Sequence, residues 1–261
     1  MKALIFGSQG MLGTALRAQL ERANTEVSCS TIDITRLDSI EHEFREVRPD
    51  VAINCAGIVK SECRDRERAV AVNARAPHVL AGVARKYSAK FVQVSTDGVF
   101  NGRGGNYRES DPTDAEDLYG QTKAAGELVS YSHCLTIRTS FIGYDLRRQR
   151  GLLEWLRRST GVVPGFTRAL WSGLSAPELS RAIVLAIDSG LSGLYHVAGP
   201  PISKADLIEI LVQELNLECR IERVSDEVIN RTLDGTRFED ATGYWTPTWI
   251  TMAKELAHDI P

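Results

Sequence analysis

The stretch DLYGQTKAAGE, residues 117–127, sets Tyr119 four residues before Lys123 in a run of helical character. That spacing puts a phenol and an ammonium one turn apart on one helix face. A phenol with a pKa of about 10 is a poor match to proton transfer at neutral pH, and a cation one turn away stabilises the phenolate and lowers that value. The pair has chemistry to do only if the chain also builds a cofactor site. Otherwise it is a solvated helix face that carries one aromatic and one Lys.

A site of the right kind stands at the start of the chain. FGSQGMLG places Gly7, Gly10 and Gly13, with Gln9, Met11 and Leu12, between a short apolar run and a stretch of helical spacing. A strand-to-helix turn of this sort aims backbone N–H groups and the positive end of the helix at a pyrophosphate. The spacing is G-x-x-G-x-x-G rather than the commoner G-x-G-x-x-G. A carboxylate that selects NADH belongs at the end of the second strand. Here that end reads Ser30-Thr31, and Asp33 and Ile34 follow with Arg36 close behind. The missing strand-end acid favours NADPH, and Asp33 keeps NADH open. At the end of the third strand, Cys55, Ala56 and Gly57 suit a backbone that passes close to the coenzyme.

VQVSTDGVFNG then puts Ser95, Thr96 and Asp97 at the end of the fourth strand, on the same crevice as the glycine loop. Glycine loop, hydroxyl-bearing strand end and Tyr-x-x-x-Lys, in this order, resemble the extended short-chain dehydrogenase/reductases. STDGVF, YGQTKAAGE and RTSFIG are similar, more narrowly, to the dTDP-4-dehydrorhamnose reductase branch.

The resemblance implies NAD(P)H-dependent reduction of a nucleotide-linked 4-keto-6-deoxy sugar, in deoxysugar and surface polysaccharide biosynthesis. It makes Tyr119 the general acid and gives Lys123 a second job on the nicotinamide ribose. Thr96 would donate to the substrate carbonyl where negative charge develops. Ser95, next to it, faces the opposite way if strand alternation persists, and is the second choice. Thr96, Asp97 and Phe141 would contact the sugar; Phe141 stands where the branch often has a Trp, and reads equally as a buried aromatic.

Two departures bear on the reaction. Dehydratases of the superfamily carry Asp-Glu after the Thr, whereas here Asp97 is followed by Gly98, so dehydration is disfavoured. The branch usually has an aromatic residue at that second position, and glycine there opens the pocket. The segment GIVK, residues 57–60, is shorter than the branch's usual stretch. A nucleotide-sugar epimerase that retains its NAD, and a non-catalytic binding subunit, are the alternative readings.

Holding these groups together requires an alternating chain. Strand-like runs at 2–6, 26–30, 50–57, 90–95 and 134–140 alternate with helical stretches at 11–22, 37–47 and 64–87 and with the helix bearing Tyr119. The pattern predicts a Rossmann-like, doubly wound parallel α/β sheet covered on both faces. Residues 1–144 read as the NAD(P)-binding domain. Residues 145–261 read as a smaller substrate lobe, with helices at 152–158, 177–187 and 204–215, a loop over 161–175, and a strand at 193–199 that returns to the sheet. His196 on that strand reads as structural. Trp171, Tyr244 and Trp245 read as lobe packing, with stacking on a base as the alternative.

A net charge of −3 gives no case for nucleic acid or an anionic membrane, and no run is long enough to span one. Five Cys without a C-x-x-C pair, and five scattered His, suggest neither disulfides nor a metal. The expected setting is the cytoplasm, the expected partner a small-molecule nucleotide sugar, and a homodimer is compatible.

Overall fold

The apolar runs of the first half become strands and its amphipathic stretches become helices. In the computed structural model, which describes residues 1–258, β1 (Lys2–Phe6), α1 (Met11–Arg22), β2 (Glu26–Cys29), α2 (Leu37–Val47) and β3 (Val51–Asn54) come first. They lead into α3 (Arg66–Ala69), a π-helical stretch at Val70–Arg75, α4 (Ala76–Lys86) and β4 (Lys90–Val94). The single helix expected over 64–87 is thus widened in its middle. Pro77 has no N–H to give the carbonyl of Asn73, four residues earlier, and the ladder slips there into the wider pattern. Then follow α5 (Leu118–Ala125), started by the Asp117 carboxylate accepting from the Gly120 N–H at 2.8 Å, and β5 (Cys134–Arg138).

The second half contains β6 (Phe141–Ile142), α6 (Leu152–Arg158), β7 (Val162–Phe166), β8 (Ala169–Trp171), β9 (Leu174–Ser175), α7 (Ala176–Asp188) and β10 (Gly193–His196). It continues through β11 (Ile202–Ser203), α8 (Lys204–Glu214), β12 (Arg220–Val224), β13 (Ile229–Asn230), α9 (Thr236–Thr242) and α10 (Trp249–His258). The loop expected over 161–175 is instead three short strands. Each pairs with a segment remote in sequence: β7 with β12, β8 with β11 and β13, β9 with β6. Pro164 and Gly165, poor strand formers, sit inside β7 and hide it from a local reading.

The main sheet runs β10-β5-β4-β3-β1-β2 with every neighbour parallel. Its inner strands β3, β4 and β5 are buried on both faces, which is why they read as largely apolar runs. One face packs Leu12, Leu16 and Leu20 of α1 with Leu179, Ile183 and Ile187 of α7. Ile40 and Phe44 of α2 and Leu80 and Ala84 of α4 cover the other. The chain winds outward in opposite directions from β1, to β2 on one side and β3 on the other, and that reversal opens a crevice at the carboxyl ends of the strands.

Candidate active site

The turn after β1 is shaped by steric exclusion. Gly7 has φ +74°, and a Cβ on it would lie 2.6 Å from the Ala56 amide nitrogen. A Cβ on Gly13 would lie 2.2 Å from the Gly7 carbonyl oxygen, so only glycine lets α1 start this close to β1. Gly10 is the N-cap of α1, no side chain caps it, and the first turn carries no acidic residue. The first amides of α1 therefore remain available to an anion. Leu12, placed in this loop by sequence, turns its side chain into the core at 3% exposure, so only its backbone faces the loop. Gln9 is exposed, and its side-chain oxygen accepts from the Arg147 guanidinium. Met11 lies against Gly143 and Gly151.

At the end of β2, Thr31 is exposed and Ile34 is a core residue. The Asp33 carboxylate accepts from the Thr35 amide at 3.0 Å and its hydroxyl at 2.8 Å. Those two bonds, with Arg68 and Arg36 nearby, hold Asp33 below the usual carboxylate range. Asp33 is thus the start of a turn, with two arginines in its field. The strand end does meet a carboxylate, supplied from α2: the Ser30 hydroxyl donates to Glu43 at 2.6 Å, and burial holds that carboxyl above its ordinary value. No reading of β2 alone contains that residue.

At the end of β3, Cys55 and Ala56 are partly exposed and Gly57 is open to solvent. Burial of the Cys55 sulfur pushes its pKa to about 12, so it is a neutral thiol and no nucleophile. Asn73, in the π-helical stretch, accepts from the Ile58 amide at 2.8 Å and donates to the Ile58 carbonyl at 2.9 Å and to the Thr122 hydroxyl at 3.2 Å. One amide thereby ties the loop after β3 to α5. Its signal in the sequence is an uncharged amide directly after the apolar run AVAV.

The end of β4 carries Thr96, which the sequence pairs with Tyr119 as a candidate for the chemistry. Ser95 and Thr96 point apart: the Ser95 hydroxyl donates to Glu127 at 2.7 Å, while the Thr96 hydroxyl donates to Asp97 at 3.2 Å and accepts from the Gly98 amide at 3.0 Å. The Tyr119 ring and the Thr96 hydroxyl flank Gly98 together, 3.2 Å and 3.3 Å from where a Cβ on Gly98 would lie. Gly98 does not leave a void, because a Cβ there would meet the Tyr119 ring at 3.2 Å. The space that an aromatic would need is already taken by the phenol ring.

Lys123 is buried at 7% exposure, and its ammonium donates to the Val94 carbonyl at 2.7 Å. Burial draws it down to about 8, opposed chiefly by the charge of Glu127. Tyr119 moves the other way from the expected lowering. Burial pushes it up to about 12, the Thr96 hydroxyl opposes this, and Asp97 adds to the rise. Among the described residues no hydrogen bond joins Tyr119 to Lys123, so desolvation of the phenolate outweighs the cation one turn away.

Behind these groups lies a buried pair the sequence reading missed. Arg138 and Glu127, 4% and 6% exposed, form two bonds of 2.8 Å each. Glu127 follows Lys123 by one helical turn, and that spacing was its signal. His196 is fully buried, with Nδ1 3.0 Å from the Tyr107 carbonyl and Nε2 3.3 Å from Arg138. Burial, then the Arg138 charge, draw it to about 4, so it stays neutral and structural. Phe141 is half-buried at the edge of the larger core cluster. Trp171 packs on Trp249, and the Tyr244 hydroxyl donates to Glu178 at 2.6 Å, whereas Trp245 is 88% exposed.

This geometry has close counterparts. The family model described as RmlD substrate binding domain matches residues 1–158. A dTDP-4-keto-6-deoxy-D-glucose reductase from Streptomyces niveus is 32% identical over 208 residues, 74% of this chain and 71% of that one. The crystal structure of a dTDP-4-dehydrorhamnose reductase from Clostridium acetobutylicum is 25% identical and superposes with a TM-score of 0.88 over 99% of both chains. That of a dTDP-4-dehydrorhamnose reductase from Bacillus anthracis in complex with NADP has the same fold, with a TM-score of 0.86 at 21% identity over 99% of both chains. The family match spans more than half of the residues and takes in the glycine loop, Thr96, Tyr119 and Lys123 alike, and so the chain belongs to the RmlD family, within the dTDP-4-dehydrorhamnose reductase branch of the extended short-chain dehydrogenase/reductases.

Proposed function

We propose that this protein reduces the keto group of a nucleotide-linked 4-keto-6-deoxy sugar, with NADPH as the coenzyme. The observation that carries the reading is the convergence of Thr96 and Tyr119 at the end of β4, beside an uncapped helix start that only glycine permits. Residues 1–144 are taken as the coenzyme unit and residues 145–261 as the substrate lobe. Gly7, Gly10 and Gly13 would admit the pyrophosphate, Thr31 and Asp33 with Arg36 and Arg68 would meet the adenosine ribose, and Ala56 and Gly57 would lie along the coenzyme. When bound, the coenzyme supplies the hydride.

The chain supplies the proton and the field. A phenol at about 12 is a weaker acid than a free one, but it holds its proton at neutral pH, and the alkoxide that forms as the substrate carbonyl is reduced is the stronger base and can take that proton from Oη. The Thr96 hydroxyl, held by the Gly98 amide, can donate to the same oxygen. Lys123, fixed on the Val94 carbonyl, has donors left for a ribose hydroxyl. The reading takes the cytoplasm as the setting, whose reducing medium suits five free thiols; among the described residues no helix is long and apolar enough to cross a membrane.

The test is oxidation of added NADPH on presentation of dTDP-4-keto-6-deoxy-glucose and dTDP-4-dehydrorhamnose. Stoichiometric oxidation supports the reading. A protein that purifies with bound NAD and interconverts sugar nucleotides without consuming coenzyme is an epimerase instead.

A further inference from the structure

Lys204 is the first residue of α8, whose N-cap hydroxyl, Ser203, accepts from the Asp206 amide at 3.0 Å. A cation at this end opposes the helix dipole, which is an unfavourable arrangement. The ammonium is half-buried, 4.0 Å from the centre of the Trp171 ring, and has no hydrogen bond or ion pair among the described residues. Burial draws it down to about 8. Folding does not need a charge here, since an apolar chain would cover Trp171 as well. Three donors are therefore held at an electrostatic disadvantage without an acceptor among the described residues.

The charge that Lys204 faces is Asp97. That carboxylate is 8% exposed, burial raises it, and Lys204 is the first of the cations that oppose the rise, ahead of Arg231. The two stand farther apart than the 4.0 Å of an ion pair, on neighbouring parts of the fold: the Asp97 amide donates to the Thr139 carbonyl at 3.0 Å, and a Cβ on Gly173 would meet both the Ser140 carbonyl oxygen at 2.5 Å and, at 2.0 Å, the Trp171 ring that Lys204 covers. The small sheet β11-β8-β13 sets the geometry: Ile202 pairs with Trp171, and the Arg231 amide donates to the Leu170 carbonyl at 3.2 Å. Arg231 gives its Nε proton to the Phe100 carbonyl at 3.0 Å. Lys204 keeps its donors, and the Asp97 carboxylate, next to Thr96, has acceptor capacity beyond the Thr96 bond.

We propose that Lys204 is a sugar-binding residue, its Nζ donating to a ring oxygen of the substrate while Asp97 accepts from a neighbouring hydroxyl. This rests on the reductase reading, which puts the keto sugar at Thr96 and Tyr119. A polyol uses adjacent donor and acceptor together, whereas a phosphate in the same place would meet the repulsion of Asp97. Nucleotide phosphates are thus placed elsewhere along the cleft.

The measurement is calorimetric titration of the NADP⁺-loaded protein, where no turnover occurs, with dTDP-4-keto-6-deoxy-glucose and separately with dTDP. Lys204→Met keeps the cover on Trp171 and removes the donors; it should weaken the sugar nucleotide roughly 10- to 100-fold, the loss of one charge-assisted hydrogen bond. dTDP affinity should stay within about twofold, and Lys204→Arg should recover most of the loss, since one donor group replaces another. Asp97→Asn, should Lys204→Met fail to fold, must show the same split between the two ligands. Parallel weakening of dTDP would assign Lys204 to phosphate and overturn the proposal. Unchanged binding of both, a loss in Lys204→Arg as large as in Lys204→Met, or a native protein that binds neither probe would overturn it too. Binding of the sugar nucleotide without NADPH oxidation would remove the reductase reading alone, and the titrations would still decide Lys204.

Discussion

Glu127→Gln should be among the most damaging single substitutions outside the proposed catalytic groups. The carboxylate takes both prongs of the Arg138 guanidinium at 2.8 Å and the Ser95 hydroxyl at 2.7 Å, and the pair is 4% and 6% exposed. An amide at 127 supplies one oxygen and turns an NH₂ group towards a guanidinium that can only donate. Arg138 cannot give up its proton, and its other neighbours are the His196 imidazole at 3.3 Å and the Phe100 ring, 5.1 Å away. Breaking a buried pair from one side costs about 3–5 kcal/mol. At roughly 2–4 °C per kcal/mol for a chain of this size, the melting temperature should fall by about 6–20 °C. Urea unfolding followed by far-UV circular dichroism measures the loss directly. The double variant Glu127→Leu/Arg138→Met, which removes both charges, should lose less than the sum of the two single variants. A loss under about 1 kcal/mol in Glu127→Gln would place the pair among solvated surface bridges and refute the reasoning.

Tyr119→Phe should lower kcat about 10²–10⁴-fold while the NADPH dissociation constant holds; near-native turnover would take the phenol out of the reaction. Thr31→Asp should shift kcat/KM towards NADH by like-charge repulsion of a 2′-phosphate, and a native enzyme that already prefers NADH strongly would give the ribose to Asp33 or Glu43. For His196 the ordinary pKa is 6.5 and the folded value about 4, so the unfolded chain binds the extra proton between those limits and stability must rise with pH across that window. At 1.36 kcal/mol per pH unit the span is roughly 3 kcal/mol. Melting temperature against pH should therefore be steeper in the native protein than in His196→Gln, and parallel curves would contradict the assignment.

The parts legible in the sequence are those where local pattern and global role coincide. Strands buried on both faces read as apolar runs, and the glycine loop reads because backbone excludes Cβ at Gly7 and Gly13. Thr96 and Ser95 could be told apart by strand alternation alone. What escaped was set by partners remote in sequence. β7, β8 and β9 have no pattern of their own, because pairing partners up to about sixty residues away define them. Glu43 reaches the end of β2 from α2, and Lys204 faces Asp97 across more than a hundred residues of chain. The Tyr119–Lys123 spacing was legible, but its electrostatic consequence was not. Burial of the phenol, a property of the packed crevice, reverses the sign that the cation alone would give.

The place of β10 bears on how such chains can be recombined. This strand comes from the second half, yet it lies against β5 as the outermost member of the main sheet, and α7 just before it packs along α1. A substrate lobe grafted from a relative after residue 144 would therefore bring its own sheet edge and its own cover for the first helix. Residues of the coenzyme half that touch β10 and α7 would have to match the donor. Viable crossovers should fall where such contacts are few, and sugar preference in this branch should change by substitutions around the cleft more readily than by exchange of whole lobes.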